Sequence, residues 1–266
     1  KAITSHRWLL EDCNCDDVTA IYVIQLSRNF VRFKKFEYAI EVLEGSMDMM
    51  EILEDKVQAK AIFYLIYAYI ECGEFLKAKA VHMKRRSAGI NDCSAGWQPG
   101  RIEAGLCNYE TASDHYREVV DQLQKQEHDG DRLSGTRCDL SAGLATSLLK
   151  HSAANEDEAF TIFQEELNRF VDPLRREIIL FKMGTWYRKL SKWDQSIETL
   201  RRICLRDGTI LSQANQAMAQ TYLEQYRYCT DNTLTTDQRT QILRHVTDHS
   251  LQVDECSTTE MHLTQA

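Results

Sequence analysis

The sequence predicts an all-α chain built from repeated helical hairpins, and three observations carry that reading. Proline is nearly absent: only Pro99 and Pro173 occur in 266 residues. Helices are therefore seldom broken by a residue that lacks an amide donor and clashes with the turn before it. Strand signals are weak, with no Asn-Gly hairpin and no sustained alternation of apolar and polar residues bounded by turns. Third, one hairpin pattern returns along the chain.

The first helix is read over "DDVTAIYVIQLSRNFVRF", where Val23, Leu26 and Phe30 recur at three- and four-residue steps and make one apolar face. Lys34 and Lys35 mark a corner. Phe36, Ala39, Ile40 and Leu43 then form the facing stripe of the next helix, and the small Ala39 lets two backbones approach closely. In "FYLIYAYIECGEFLKAKAVHMKRR", Tyr69, Gly73, Phe75 and Ala78 stand at the offsets of Phe30, Lys34, Phe36 and Ala39. A third copy, "GLCNYETASDHYREVVDQL", supplies Cys107, Tyr109, Ala112 and Tyr116. The fourth, "AGLATSLLKHSAANEDEAFTIFQEEL", is looser and offers Ala159 and Phe163. The fifth, "ILFKMGTWYRKLSKWDQSIETLRRI", is the clearest, with Leu180, Met183, Gly184, Tyr187, Trp193, Ser196, Leu200 and Ile203. A sixth first helix follows with Ala219 and Tyr222, and Thr236 is read as the cap of a last helix from Asp237. Two segments, 87–100 and 125–136, carry Gly, Ser, Pro or polar runs and are read as loops.

These residues resemble the tetratricopeptide repeat, which places large-Leu-Gly/Ala-Tyr on its first helix and aromatic-Ala-Phe on its second. The resemblance covers about residues 17–250, between a lead-in at 1–16 and a tail at 251–266. Ala39, Ala78, Ala112, Ala159 and Ser196 are spaced 39, 34, 47 and 37 residues apart, against a consensus of about 34. Several helices or loops are therefore longer than standard. Ile66 fills a position the family keeps small, and the closing Pro is missing after most units.

The resemblance implies a right-handed α-solenoid of five to six stacked antiparallel hairpins, since one hairpin cannot cover its own apolar face. It also implies a concave groove lined by first-helix residues off the packing stripe. Here those are Arg28, Arg32, Tyr64, Tyr67, Lys182, Thr185, Arg188 and Lys189. Arginine can hold a carboxylate with two parallel bonds, and tyrosine gives amphipathic contact area. The partner this suggests is a protein segment, an acidic peptide or helix. Ile24 and Phe63 stand where a co-chaperone clamp wants polar groups, which argues against a chaperone C-terminus as ligand.

Other function classes find little support. The net charge of −8 argues against a general nucleic-acid binder, which is usually basic. An RNA-binding helical repeat remains a rival only through Arg28, Arg32, Arg188 and Lys189. No apolar run reaches the roughly 18 residues of a membrane span, and no signal-peptide pattern opens the chain. The nine cysteines form no framework. Cys72, Cys107 and Cys204 are read as small apolar residues in helices, which favours a reducing cytoplasm or nucleus.

"EDCNCDD" sets Cys13 and Cys15 among acids, but one-residue spacing without a second pair does not match zinc, and an acidic helix start is the simpler reading. Asp114 beside His115, and His128 near Asp129 and Asp131, come with no nucleophile in a recognisable turn. No phosphate loop, HExxH or G-x-S-x-G occurs. The expectation is a non-catalytic interaction scaffold without metal or cofactor. The alternative within this class is a structural segment of a larger cell-cycle kinase or protease polypeptide. The irregular period and a chain opening on Lys1 rather than Met both suit it.

Overall fold

The computed structural model describes residues 16–50, 55–88, 96–125, 132–169, 173–203, 208–229, 237 and 240–248. Among them are helices and the turns between helices, with no strand. In chain order the helices are α1 (Asp16–Arg32), α2 (Phe36–Glu44), the single turn α3 (Met47–Met50), α4 (Asp55–Glu71), α5 (Phe75–Ser87), α6 (Gln98–Gly105), α7 (Tyr109–Lys125), α8 (Arg132–His151), α9 (Glu156–Arg169), α10 (Pro173–Lys189), α11 (Trp193–Arg201) and α12 (Gly208–Cys229). Residues 240–248 are helical, as is Asp237; the expected cap Thr236 lies outside the described residues. So do the acidic cysteine segment at 11–15, Cys204, His128, Asp129, Asp131 and the tail from 251.

Two compact units divide the chain: Lys1–His128 with Thr146–Ala153, and Asp129–Ala145 with Ala154–Ala266. In the first, α1 packs on α2, α4 on α5, and α6 on α7; α4 also touches both α1 and α6. In the second, α10 packs on α11, and α12 packs on both. Within each unit, packed helices thus cover one another's apolar faces.

Four corners share one backbone solution. Lys34, Gly73, Cys107 and Ser191 have φ of 56°, 77°, 63° and 58°. At each, the next residue's amide reaches back five residues, as in Lys35 N–H to Phe30 C=O (2.8 Å) and Lys192 N–H to Tyr187 C=O (2.9 Å). The left-handed residue itself donates three residues back, to Val31, Ile70, Ala104 and Arg188. This satisfies carbonyls that a helix end leaves without partners. Cys107 is accordingly exposed at a corner, not an apolar helical residue as its surroundings in sequence suggest. The fourth hairpin departs from the rule. It turns through a 3-10 segment, Ala153–Asn155, with no left-handed residue.

Five residues after each left-handed corner comes the small side chain that fixes the hairpin. Ala39, Ala78, Ala112 and Ser196 are fully buried, and so is Ala159 in the fourth hairpin. Small positions also occur on first helices. A Cβ at Gly184 would meet Leu200 Cγ at 2.6 Å, and one at Gly100 would meet the Tyr116 ring at 2.8 Å. The Ser196 hydroxyl donates to Gly184 C=O at 2.8 Å, so the two backbones are joined where they come closest. Ile66, in the register of Gly100 and Gly184, is accommodated with full burial in a core that includes Val23, Leu43, Leu65 and Tyr69. The residue at the Leu43, Tyr116 and Leu200 register is there His82. Its ring is half-buried with Nδ1 lacking a hydrogen bond, and burial together with Arg85 and Arg86 pulls its pKa down.

Both expected loops are shorter than read. α6 begins at Gln98 with Pro99 in its first turn, and α8 begins at Arg132. Pro99 marks a helix start, where its missing amide costs no intrahelical bond.

Overpacking at the small positions should destabilise the fold. Ala78→Trp and Ser196→Trp are each expected to cost about 1–3 kcal/mol, measured by urea unfolding; unchanged midpoints would disprove the register. Conversely, Ser191→Gly should add about 1 kcal/mol, because glycine adopts the left-handed region without the Cβ clash. A loss of stability in that variant would show that the serine makes compensating contacts.

Candidate partner-binding surfaces

The eight residues expected to line the groove fall in the two units, four in each. In the first unit, Arg28 and Arg32 project from the last turns of α1 and are exposed. Neither has an ion-pair partner among the described residues. Tyr64 and Tyr67, by contrast, are half-buried and belong to a row of rings. Phe36 lies 6.2 Å from Tyr67, and Tyr67 lies 5.6 Å from Trp97 at 85°. Phe63 lies 6.1 Å from Trp97 at 89° and 5.3 Å from Tyr64. Edge-to-face rings at these distances attract one another beyond their area burial.

Helix geometry explains the row. Phe63 and Tyr67 are one turn apart on α4, so both face the same way. Trp97, at the start of α6, stands edge-on to both. Gln98 is fully buried, and its Nε2 donates to Phe63 C=O at 3.0 Å, tying the start of α6 to α4 at that level. The Arg101 guanidinium lies 5.5 Å over the Trp97 ring and pairs with Glu71 at 2.8 Å. Burial and Glu71 raise the Tyr67 phenol, with Arg101 opposing them. Tyr64 and Tyr67 are thus half-buried side chains held among other rings.

In the second unit most of the expected side chains have contacts of their own. Arg188 is only 17% exposed; it bonds Gln220 and pairs with Glu224 at 3.6 Å, both on α12. It joins α10 to α12. The Thr185 hydroxyl donates to Phe181 C=O at 2.8 Å, within its own helix. Lys182 is half-buried and close enough to Cys138 to oppose the upward push on that thiol, which burial, Glu166 and Asp139 raise to about 12. Lys189 is exposed and sits 4.4 Å over the Trp186 ring. Of these four, Lys189 alone is exposed.

Trp97 and Arg101 were not among the residues expected on this surface, and Phe63 was read only as an apolar residue at a clamp position. Trp97 lies in a stretch that reads as a loop, and the available signal was the "WQPG" run, a proline one place into a new helix. Nothing in the sequence marks Gln98 as buried.

Two other features of the fold have the form of a site. A cleft of about 540 Å³ in the first unit has Met47, Ile62, Leu65 and Val81 on its walls, with Asp48 and Lys84 among its charged residues. None of the eight residues lines it. In the second unit, Glu166 is 4% exposed and takes hydrogen bonds from Arg137 (3.2 Å) and Ser141 (3.1 Å) of α8. Burial raises its carboxyl, while the Ser141 bond lowers it. A perturbed carboxyl can mark catalysis, but this one is enclosed and paired between α8 and α9, as structural ion pairs are. Among the described residues no group of three or more His, Cys, Asp and Glu could hold a metal ion. No described helix is long and apolar enough to cross a membrane.

No protein-family model matches the chain, and no curated protein matches it. A solved structure does. PilF of Pseudomonas aeruginosa, a tetratricopeptide-repeat protein, superposes with a TM-score of 0.52 over 86% of this chain and 98% of that one, at 14% identity. At that identity the likeness concerns the fold alone. The chain is a tetratricopeptide-like all-α helical repeat.

Breaking the buried pair should expose its structural role. Arg137→Met is expected to cost about 3–5 kcal/mol by leaving a buried carboxylate without its guanidinium, while Arg137→Met with Glu166→Leu should recover most of that loss. Chemical denaturation of the single, double and parent chains tests this. A double variant no better than Arg137→Met would refute the account.

Proposed function

We propose that the chain is a non-catalytic scaffold that holds an extended or helical segment of a partner protein against its first helices. The observation that carries this reading is the contrast among the cations of those helices. Arg101 and Arg188 are used internally, against Glu71 and Glu224. Arg28 and Arg32 are exposed, one helical turn apart and without a carboxylate partner among the described residues. Two such charges in the same unit as half-buried tyrosines suit an acidic segment with some apolar surface, because the chain as a whole is acidic and repels such a partner elsewhere. The tetratricopeptide-like fold supports a protein-binding role. The net charge weighs against nucleic acid.

Cross-linking and recovery from native extract should identify the partner. Against it, Arg28→Glu with Arg32→Glu should weaken binding about tenfold, ~1.4 kcal/mol. Most of the change should fall in the association rate and shrink as salt rises. The melting curve should be unchanged, since both side chains are exposed. Equal affinities for parent and variant would move the interface elsewhere.

A further inference from the structure

The ring row of the first unit has a chemical asymmetry. Tyr64, Tyr67 and Trp97 have half-buried bodies fixed by ring contacts. Yet neither tyrosine hydroxyl nor the indole N–H has a hydrogen-bond partner among the described residues, and none of the three is a fully buried polar atom. Buried or half-buried Tyr and Trp usually find a partner for that polar end. Here three polar tips stand open beside a rigid apolar surface. The indole can only donate, and a tyrosine hydroxyl has one proton to give. The Arg101 guanidinium over the Trp97 ring is paired with Glu71, so at that ring the platform offers donors without a net charge, while Lys60, one turn before Phe63 and Tyr64, is exposed.

We infer that this row is a docking platform for a proline-rich, extended stretch of the partner segment, an inference that rests on the scaffold reading above. The match is electrostatic at the level of partial charges. A proline-rich backbone carries carbonyl acceptors and almost no N–H donors. In its extended left-handed helix it makes no internal hydrogen bonds, so those carbonyls remain open to a donor surface. Its rings and the aromatic faces bury apolar area together, at little entropic cost because both sides are already stiff. The acidic stretch of the partner has its place at Arg28 and Arg32.

The test uses the full chain and three synthetic decapeptides: decaproline, alternating Gly-Ser and alternating Gly-Glu, titrated by calorimetry. Decaproline should bind saturably and more tightly than Gly-Ser. Tyr67→Phe and Trp97→Phe keep a ring but remove one donor each, and each should weaken decaproline binding roughly fivefold. Trp186→Phe, in the other unit, should leave it unchanged. Melting curves and near-ultraviolet circular dichroism of the variants should match the parent, so that loss of binding is not loss of fold. Absence of saturable decaproline binding, equal affinity for Gly-Ser, or indifference to both donor deletions would overturn the inference. If decaproline fails while Gly-Glu binds in a manner that depends on Arg28 and Arg32, the inference falls and the scaffold reading stands. If decaproline binds through the donors while Gly-Glu does not bind, the inference holds and the acidic-partner part of that reading falls.

Discussion

Close approach of two helix backbones at a small, fully buried side chain is the constraint on which the rest of the structure depends. Ala39, Ala78, Ala112 and Ser196 occupy it in four hairpins, and in two of them the facing first helix contributes Gly100 or Gly184. Where backbones come this near, there is no room for a side chain to fill and little freedom in the crossing. The large residue one turn further along, Leu43, Tyr116 or Leu200, is then set against the partner helix. A left-handed corner five residues earlier delivers the chain into this contact at a fixed angle. Three of those four corners use Lys, Cys or Ser instead of glycine, so the backbone conformation is imposed by packing and the paired carbonyls rather than by local preference.

This geometry also decides which side chains can meet a partner. A first helix is gripped by its own second helix and touched by the neighbouring hairpin, as α4 is by α1, α5 and α6. What remains accessible is narrow. On α4 the half-buried Phe63, Tyr64 and Tyr67 are held by other rings and by the Gln98 bond to Phe63, beside the exposed Lys60. On α10 most of it is taken: Arg188 reaches α12, Thr185 bonds its own helix, and Lys182 lies near Cys138. Positions that are equivalent in repeat register therefore differ in chemical availability, because the neighbouring element differs.

Polar groups inside the fold have structural work. The Arg137, Ser141 and Glu166 cluster ties α8 to α9 where no left-handed corner sets the hairpin. Lys79, at 2.8 Å, and Asn108 both bind Glu103 and join α5, α6 and the start of α7; together they hold its carboxyl below the usual range against the opposing effect of burial. Such pairs are costly to bury singly and tolerable when matched. They specify which helices meet more than they add to stability.

The helical class, the hairpin register and the small positions were legible in the sequence, because they follow from chain-local rules. Low proline content, three- and four-residue apolar steps and the recurrence of Ala or Ser at fixed offsets from an aromatic residue are properties of the chain read one window at a time. The helical start at Gln98 was hidden, since glycine and proline near it signal a loop and only the packing of Gln98 and Trp97 on α4 makes a helix there. Exposure of Cys107 was hidden too, because its left-handed turn is closed by bonds to residues before it. Of the eight residues expected to line a groove, Arg28, Arg32 and Lys189 are exposed. The sequence could not foresee that Tyr67 would join rings from Phe36 and Trp97, or that Arg188 would be drawn to Gln220 and Glu224, 32 and 36 residues away. Helical periodicity says which face a side chain leaves from; only the tertiary structure brings up the element that captures it.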